Sequence, residues 1–183
     1  MTSIFLKKPP EQFVCPVPVT GSQVSLENMF SVHQKLCPLA PTLLAFLRHT
    51  GCPFAERDIK KLRAWKQFNQ DVQVIAVTHG DIGVRDAWLA EIGGAGALLA
   101  VHDTDRKLYG KWGLGYSSAL HFMGARSIAG VIRLWLHGIH NRQASGTRWQ
   151  HSGMFLIRDA QVTWHHIPVS AEAFQLPDEG LLR

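Results

Sequence analysis

The chain has 183 residues, enough for one domain with its own core. Hydrophobic residues make up 46% and charged residues 18%, ordinary proportions for a globular protein, and no run approaches the roughly 18 uncharged apolar residues that span a bilayer. The formal charge is +5, but Lys and Arg are scattered and no dense basic run stands beside aromatics, so nucleic acid and membrane are set aside in favour of a mildly basic surface or an anionic small substrate.

The N-terminus, Met1-Thr-Ser-Ile-Phe-Leu-Lys-Lys-Pro-Pro10, lacks a signal-peptide layout because its charge follows a very short apolar run. Three cysteines without regular spacing argue against a disulfide framework and suit a reducing compartment, so the expected location is cytoplasmic. Residues 1–41 read as a loop-rich extension with six prolines. Within it, Leu26, Met29, Phe30, His33 and Leu36 fall on one face of a short helix predicted over Ser25–Leu36. Cys15 and Cys37 each precede a proline, and either is small apolar filler or a partner for a cysteine further on.

Thr42–Ile59 organises the rest. Leu43–Leu47 is a short, bounded apolar run and predicts a strand buried on both faces. The turn Arg48-His49-Thr50-Gly51 follows, then Cys52, Pro53 and a helical pattern running to about Phe68. Proline is favoured in the first helical turn, where its missing N–H had no partner to lose. Cys52 is therefore expected at the helix N-terminus, where unpaired N–H groups and the positive end of the dipole favour a reachable thiolate. Arg48, His49 and Arg57 are candidates to strengthen that field. The helix should bury Ala55, Ile59, Leu62, Trp65 and Phe68.

Asp71–Thr78 is the next buried strand, so a right-handed crossover joins a parallel pair. His79 and Asp81 follow that strand's carboxyl end, where sites form in open α/β sheets. They are candidate neighbours of Cys52, though Asp81 is equally placed to cap the helix predicted from Ile82 to Ile92. Ala97–His102 reads as a third strand and Arg106–Trp112 as a short helix. The Gly94-Ala-Gly96 run follows a helix rather than a strand, which rules out a dinucleotide loop.

Residues 113–152 form a long insertion. Its apolar stretch Ser127–Gly138 and its Arg and His residues make it either a lid over Cys52 or an interface that buries Trp135 against a second subunit. Met154–Arg158, the turn Asp159-Ala160 and Gln161–Ile167 form a β-hairpin, stopped by Pro168. A short helix is expected in the tail after Ser170. His165 and His166 point to opposite faces of a strand and no tight Cys/His spacing exists, so no metal or cofactor is expected.

The turn Arg48–Phe54 resembles the active-site turn of the peroxiredoxin-like (AhpC/TSA-related) members of the thioredoxin-fold group. Val74–Thr78, Asp103 with Arg106, Leu108 and Tyr109, Trp112–Leu114, and Gln150 with Gly153 before Met154–Arg158 extend the likeness from about Pro41 to about His166. The resemblance implies an α/β thioredoxin-like fold: one domain with a central mixed sheet, flanking helices and the long excursion before the C-terminal hairpin. It implies peroxide or disulfide chemistry at Cys52, with Gln150 and His151 on the facing loop. The family's usual second cysteine, three residues on, is Ala55 here, which leaves a one-cysteine mechanism resolved by Cys15, Cys37, a subunit partner or an external thiol reductant.

Cys52 is thus the expected nucleophile, Arg48 or His49 its electrostatic activator, Thr50 its support, and His79 and His151 acid/base candidates. Phe54, Tyr116, Trp135 and Gln150 are candidate substrate contacts. The expected function is a peroxiredoxin-like oxidoreductase acting on a peroxide or small-molecule substrate, with a homodimer as a possible assembly. The alternatives are a non-redox biosynthetic enzyme, such as an isomerase or lyase using Cys52 with a histidine, and a non-catalytic binding module.

Overall fold

A computed structural model describes residues 8–26 and 40–181. The helix expected over Ser25–Leu36 and Cys37 lie outside the described residues, apart from the first two positions of that helix.

Five strands form one mixed sheet: β1 (Thr42–Phe46), β2 (Gln73–Thr78), β3 (Leu99–His102), β4 (Gly153–Arg158) and β5 (Gln161–His166), in the order β3-β2-β1-β4-β5. β1, β2 and β3 are parallel, while β4 runs antiparallel to both β1 and β5. β1 is central and fully buried, which is why its sequence is a continuous apolar run rather than an alternation. The β4–β5 turn holds Asp159 at φ 50° and Ala160 at φ 59°, a left-handed pair whose twist suits a tight hairpin.

The helices are α1 (Pro53–Phe68), α2 (Ile82–Glu91), α3 (Lys107–Lys111), α4 (Ala119–Met123) and α5 (Ala125–Leu136). The pleat sorts β1 residues to two cores. Leu43, Ala45 and Leu47 join Ile59 and Leu62 of α1, Trp88 and Leu89 of α2, and Val131 and Leu134 of α5. Leu44 and Phe46 join Tyr109, Trp112, Leu114, and Val17, Val24 and Leu26 of the N-terminal segment. Each buried Leu, Ile or Phe contributes about 1.5–3 kcal/mol, so both layers hold the sheet.

Differences from the sequence reading are local. Phe68, expected in the buried stripe, is 86% exposed because α1 has already run past the edge of the core. Of the residues the helical pattern turns inward over Ile82–Ile92, Val84, Ala87, Trp88 and Ile92, Ala87 faces out, and Leu89 is buried instead. The tail holds a short 3-10 turn at Glu179–Leu181 rather than a longer helix. No described helix is long and apolar enough to cross a membrane.

Candidate active site

The chain turns from β1 into α1 over six residues. Leu47 is still paired to β2 through its N–H and the Val77 carbonyl, 2.9 Å apart. Gly51 then adopts φ +80°, a conformation L side chains avoid. Cys52 is the N-cap of α1, with Pro53 in the first turn, and the Glu56 N–H reaches the Cys52 carbonyl at 3.1 Å. The sulfur thus stands at the positive end of a 16-residue helix.

A strap formed by residues 142–147 covers this turn. The Arg142 N–H donates to the Gly51 carbonyl at 3.0 Å, and Ser145 pairs with Thr50 in an isolated antiparallel bridge. The Asp81 N–H donates to Ser145 Oγ at 2.6 Å, and His79 Nε2 faces the backbone of Thr147. Side chains clamp the strap too: Arg142 reaches Glu56 at 3.0 Å and Glu91 at 2.9 Å. Burial would raise the Glu56 carboxyl, but hydrogen bonds from Arg142 and Lys60 outweigh it and hold it below its usual range. A Cβ on Gly51 would lie 2.3 Å from the Gln143 carbonyl oxygen, so the strap rests directly on glycine backbone. The expectation of a reachable thiol is corrected here: Cys52 is only 5% exposed and belongs to the buried core under α1.

Charge is unevenly distributed around the sulfur. Arg48 is 3% exposed and its Nη2 donates to the Arg148 carbonyl at 3.2 Å. The Arg148 guanidinium is in electrostatic contact with Cys52. The imidazoles are pushed the other way. Burial first, then Arg48 and Arg148, holds His49 well below the ordinary histidine value. Burial likewise takes His79 down to about 4. His121 falls to about 4 through burial and the neighbouring His151, whose ring centroid is 4.4 Å away. His151 is lowered as well, mainly by burial. At neutral pH these four rings carry no charge, which removes His49 as a cationic activator and leaves that part to Arg48 and Arg148.

This arrangement of sheet, turn and strap has relatives. The sequence profile described as AhpC/TSA antioxidant enzyme matches residues 57–169, more than half of the chain. The chain belongs to the AhpC/TSA family. No curated protein is matched. Among solved structures, the AhpC/TSA chain is similar to a peroxiredoxin-like protein from Aquifex aeolicus (13% identity, TM-score 0.59, covering 93% of this chain and 88% of that one). It is also similar to a thiol peroxidase from Chromobacterium violaceum (12% identity, TM-score 0.58, covering 90% and 84%). These likenesses establish a thioredoxin-like α/β fold of the peroxiredoxin kind, as the sequence led us to expect. The profile begins just after the Cys52 turn, so family membership comes from the body of the fold.

The AhpC/TSA frame gathers Arg48, His49, Thr50, Cys52, His79 and His151 at the carboxyl ends of the parallel strands and places the other candidates elsewhere. His79 sits at the end of β2, against Tyr109 and Thr147, and anchors the strap. Asp81 caps α2, accepting from the Val84 N–H at 2.9 Å. Arg57 is held by Asp58 and the Glu172 carbonyl and lies over the Phe54 ring. Phe54 is itself packed against Gly130 of α5 and seats that helix. Tyr116 turns away to Arg106 and to the Pro10 carbonyl of the N-terminal segment. Trp135 is half exposed on the outer side of α5. Gln150 is a buried brace, its Nε2 donating to the Leu114 and Gly115 carbonyls at 2.6 and 3.1 Å.

Cys15 packs beside α3, its N–H on the Gly110 carbonyl, on the opposite face of the sheet from Cys52. It cannot meet the Cys52 sulfur without large rearrangement. Two neighbours went unrecognised in the sequence. Arg148 was visible only as part of a basic segment, two residues before Gln150. His121 was likewise visible only as one of that segment's histidines, since only the fold brings it to His151.

Proposed function

We propose that the chain is a one-cysteine thiol peroxidase. The observation that carries this reading is the placement of Cys52 at the N-cap of α1, beside Arg48 and Arg148, on an AhpC/TSA frame. The Cys52 thiolate attacks one peroxide oxygen, the O–O bond breaks, and the departing oxygen takes a proton and leaves as water or an alcohol. The product is a sulfenic acid on Cys52. Ala55 and the distant Cys15 leave no neighbouring thiol among the described residues, and in this reading an external thiol such as glutathione condenses with it, releasing water and leaving a mixed disulfide. A second external thiol then restores Cys52. Thr50 supports the turn, and the strap must lift to admit peroxide and reductant.

The test is turnover of hydrogen peroxide with glutathione, together with the gain of one oxygen on Cys52 by mass spectrometry. Cys52→Ser should reduce turnover to the uncatalysed rate; equal turnover by this variant would remove the reading.

A second reading is favoured by one observation: His49, His121 and His151 are held neutral close to Arg48, and a neutral imidazole can accept a proton. That suits non-redox acid/base chemistry on a small biosynthetic intermediate. The same variant assayed against electrophilic metabolites, with no peroxide present, separates the two. A protein inert in both assays is a binding module.

The location we propose is cytoplasmic, in keeping with a thiol that must be kept reduced. We also keep a homodimer in the reading. Ile128, Ile132, Trp135 and Leu136 form an exposed apolar stripe on α5 that a second copy would cover. Ile132→Glu should then sediment as a smaller species than wild type, and identical sedimentation would remove the dimer.

A further inference from the structure

Arg48 is buried almost completely, yet the structure gives its five N–H donors one acceptor, the Arg148 carbonyl oxygen. Its Nε and Nη1 are buried and have no hydrogen-bond partner among the described residues. A buried guanidinium without a counter-charge is strongly destabilising, so this one calls for an anion. Its surroundings add neutral rings rather than a carboxylate. His49 Nδ1 and His121 Nε2 are also buried without a partner, and the His151 ring lies against that of His121.

The nearby acids are committed elsewhere. Asp58 is bonded to Arg57 through Nε at 2.8 Å and Nη2 at 2.7 Å. Glu56 is shared by Lys60 and Arg142.

We propose that the Arg48 guanidinium binds the carboxylate of a small organic acid beside Cys52, so that the site selects substrates that carry their own carboxylate. A planar fork with one cationic charge matches a planar monoanion. The neighbouring histidines add no charge, which disfavours a dianion such as hydrogen phosphate. This deepens the peroxidase reading, since it rests on Cys52 as the reacting group, but carboxylate binding can be measured without turnover.

The test compares alkylation of Cys52 by iodoacetate and by its neutral isostere iodoacetamide, with glutathione as the reference thiol. Relative to glutathione, Cys52 should prefer iodoacetate by about tenfold, the factor that one charge-assisted hydrogen bond of about 1.4 kcal/mol supplies. Benzoate should slow the reaction saturably and benzamide should not. A ratio no higher than that of glutathione overturns the proposal. So does equal protection by sulfate or phosphate at matched ionic strength, which would mark a generic anion site.

If Cys52 resists both reagents, the melting temperature decides. Benzoate must raise it where benzamide does not, and no shift overturns the proposal. Arg48→Lys keeps the charge and loses the fork, so a folded variant should return to the glutathione ratio; should it fail to fold, the comparison of benzoate with benzamide on the wild-type protein decides. A wild-type protein that prefers iodoacetate but never turns over peroxide keeps the anion site and loses the peroxidase. If it does turn over peroxide, a hydroperoxy carboxylic acid should show a lower KM than its methyl ester.

Discussion

A single hydroxyl ties the two strand ends on which the site depends. Tyr109 is fully buried, and its Oη lies 2.7 Å from the Leu47 carbonyl oxygen and 2.9 Å from that of Val77. It therefore fixes where β1 and β2 release the chain towards Cys52 and His79. Tyr109→Phe removes the single proton these carbonyls share, leaving Val77 still paired with the Leu47 N–H and the Leu47 carbonyl without this donor, and should lower unfolding stability by about 1–3 kcal/mol, read from urea denaturation. At this scale the sequence disclosed what is encoded locally. Cys52 was legible because Gly51 and Pro53 specify the turn and the helix start around it. Arg148 and His121 were not, because their partners lie far away along the chain and no spacing rule spans that distance. Histidine charge was misjudged for a similar reason, since burial depends on neighbours the local sequence does not name.

The strap is the element that decides access. Its hold is made of the Arg142 ion pairs, the Ser145 bridge and contact with Gly51 backbone. Arg142→Ala removes both ion pairs while Lys60 still partners Glu56, so the fold should survive. Cys52 should then react severalfold faster with a neutral maleimide, in keeping with about 1 kcal/mol for partly exposed pairs. Gly51→Ala should act in the same direction and more strongly, because the new Cβ meets the Gln143 carbonyl; no acceleration in either variant would show that the strap is not the barrier. Strands and helices were readable from apolar runs, caps and Gly or Pro stops. The strap has no periodicity at all, so its presence in the 113–152 insertion was foreseen and its seat was not. Residues 142–147 of that insertion lie on the Thr50–Gly51 turn, while the Trp135 face of α5 stays open.

For the whole molecule, the buried imidazoles set the response to acid. His79 and His121 titrate near 4 in the folded chain and at about 6.5 when unfolded. Across that interval the unfolded chain binds more protons, so their stabilisation is complete above about pH 6.5 and is lost as pH falls towards 4. Asp58 has the opposite sign. Burial raises it to about 6 in spite of Arg57, so its contribution is present below about 3.9 and is lost as pH rises to 6, offsetting part of one histidine. The net expectation is a urea midpoint that declines from pH 7 to pH 4.5, with a slope of up to about 1.4 kcal/mol per pH unit for each uncompensated histidine. His79→Gln should flatten that slope, and a profile already flat in wild type would refute it.

Roughly ninety residues separate Cys52 from the strap that covers it. A ribosome adding on the order of 5–20 residues each second takes several seconds to make that interval. Every newborn chain therefore passes through a period in which its sulfur has emerged and its cover has not yet been translated. The thiol is most open to passing oxidants then, before the finished protein can govern what reaches it.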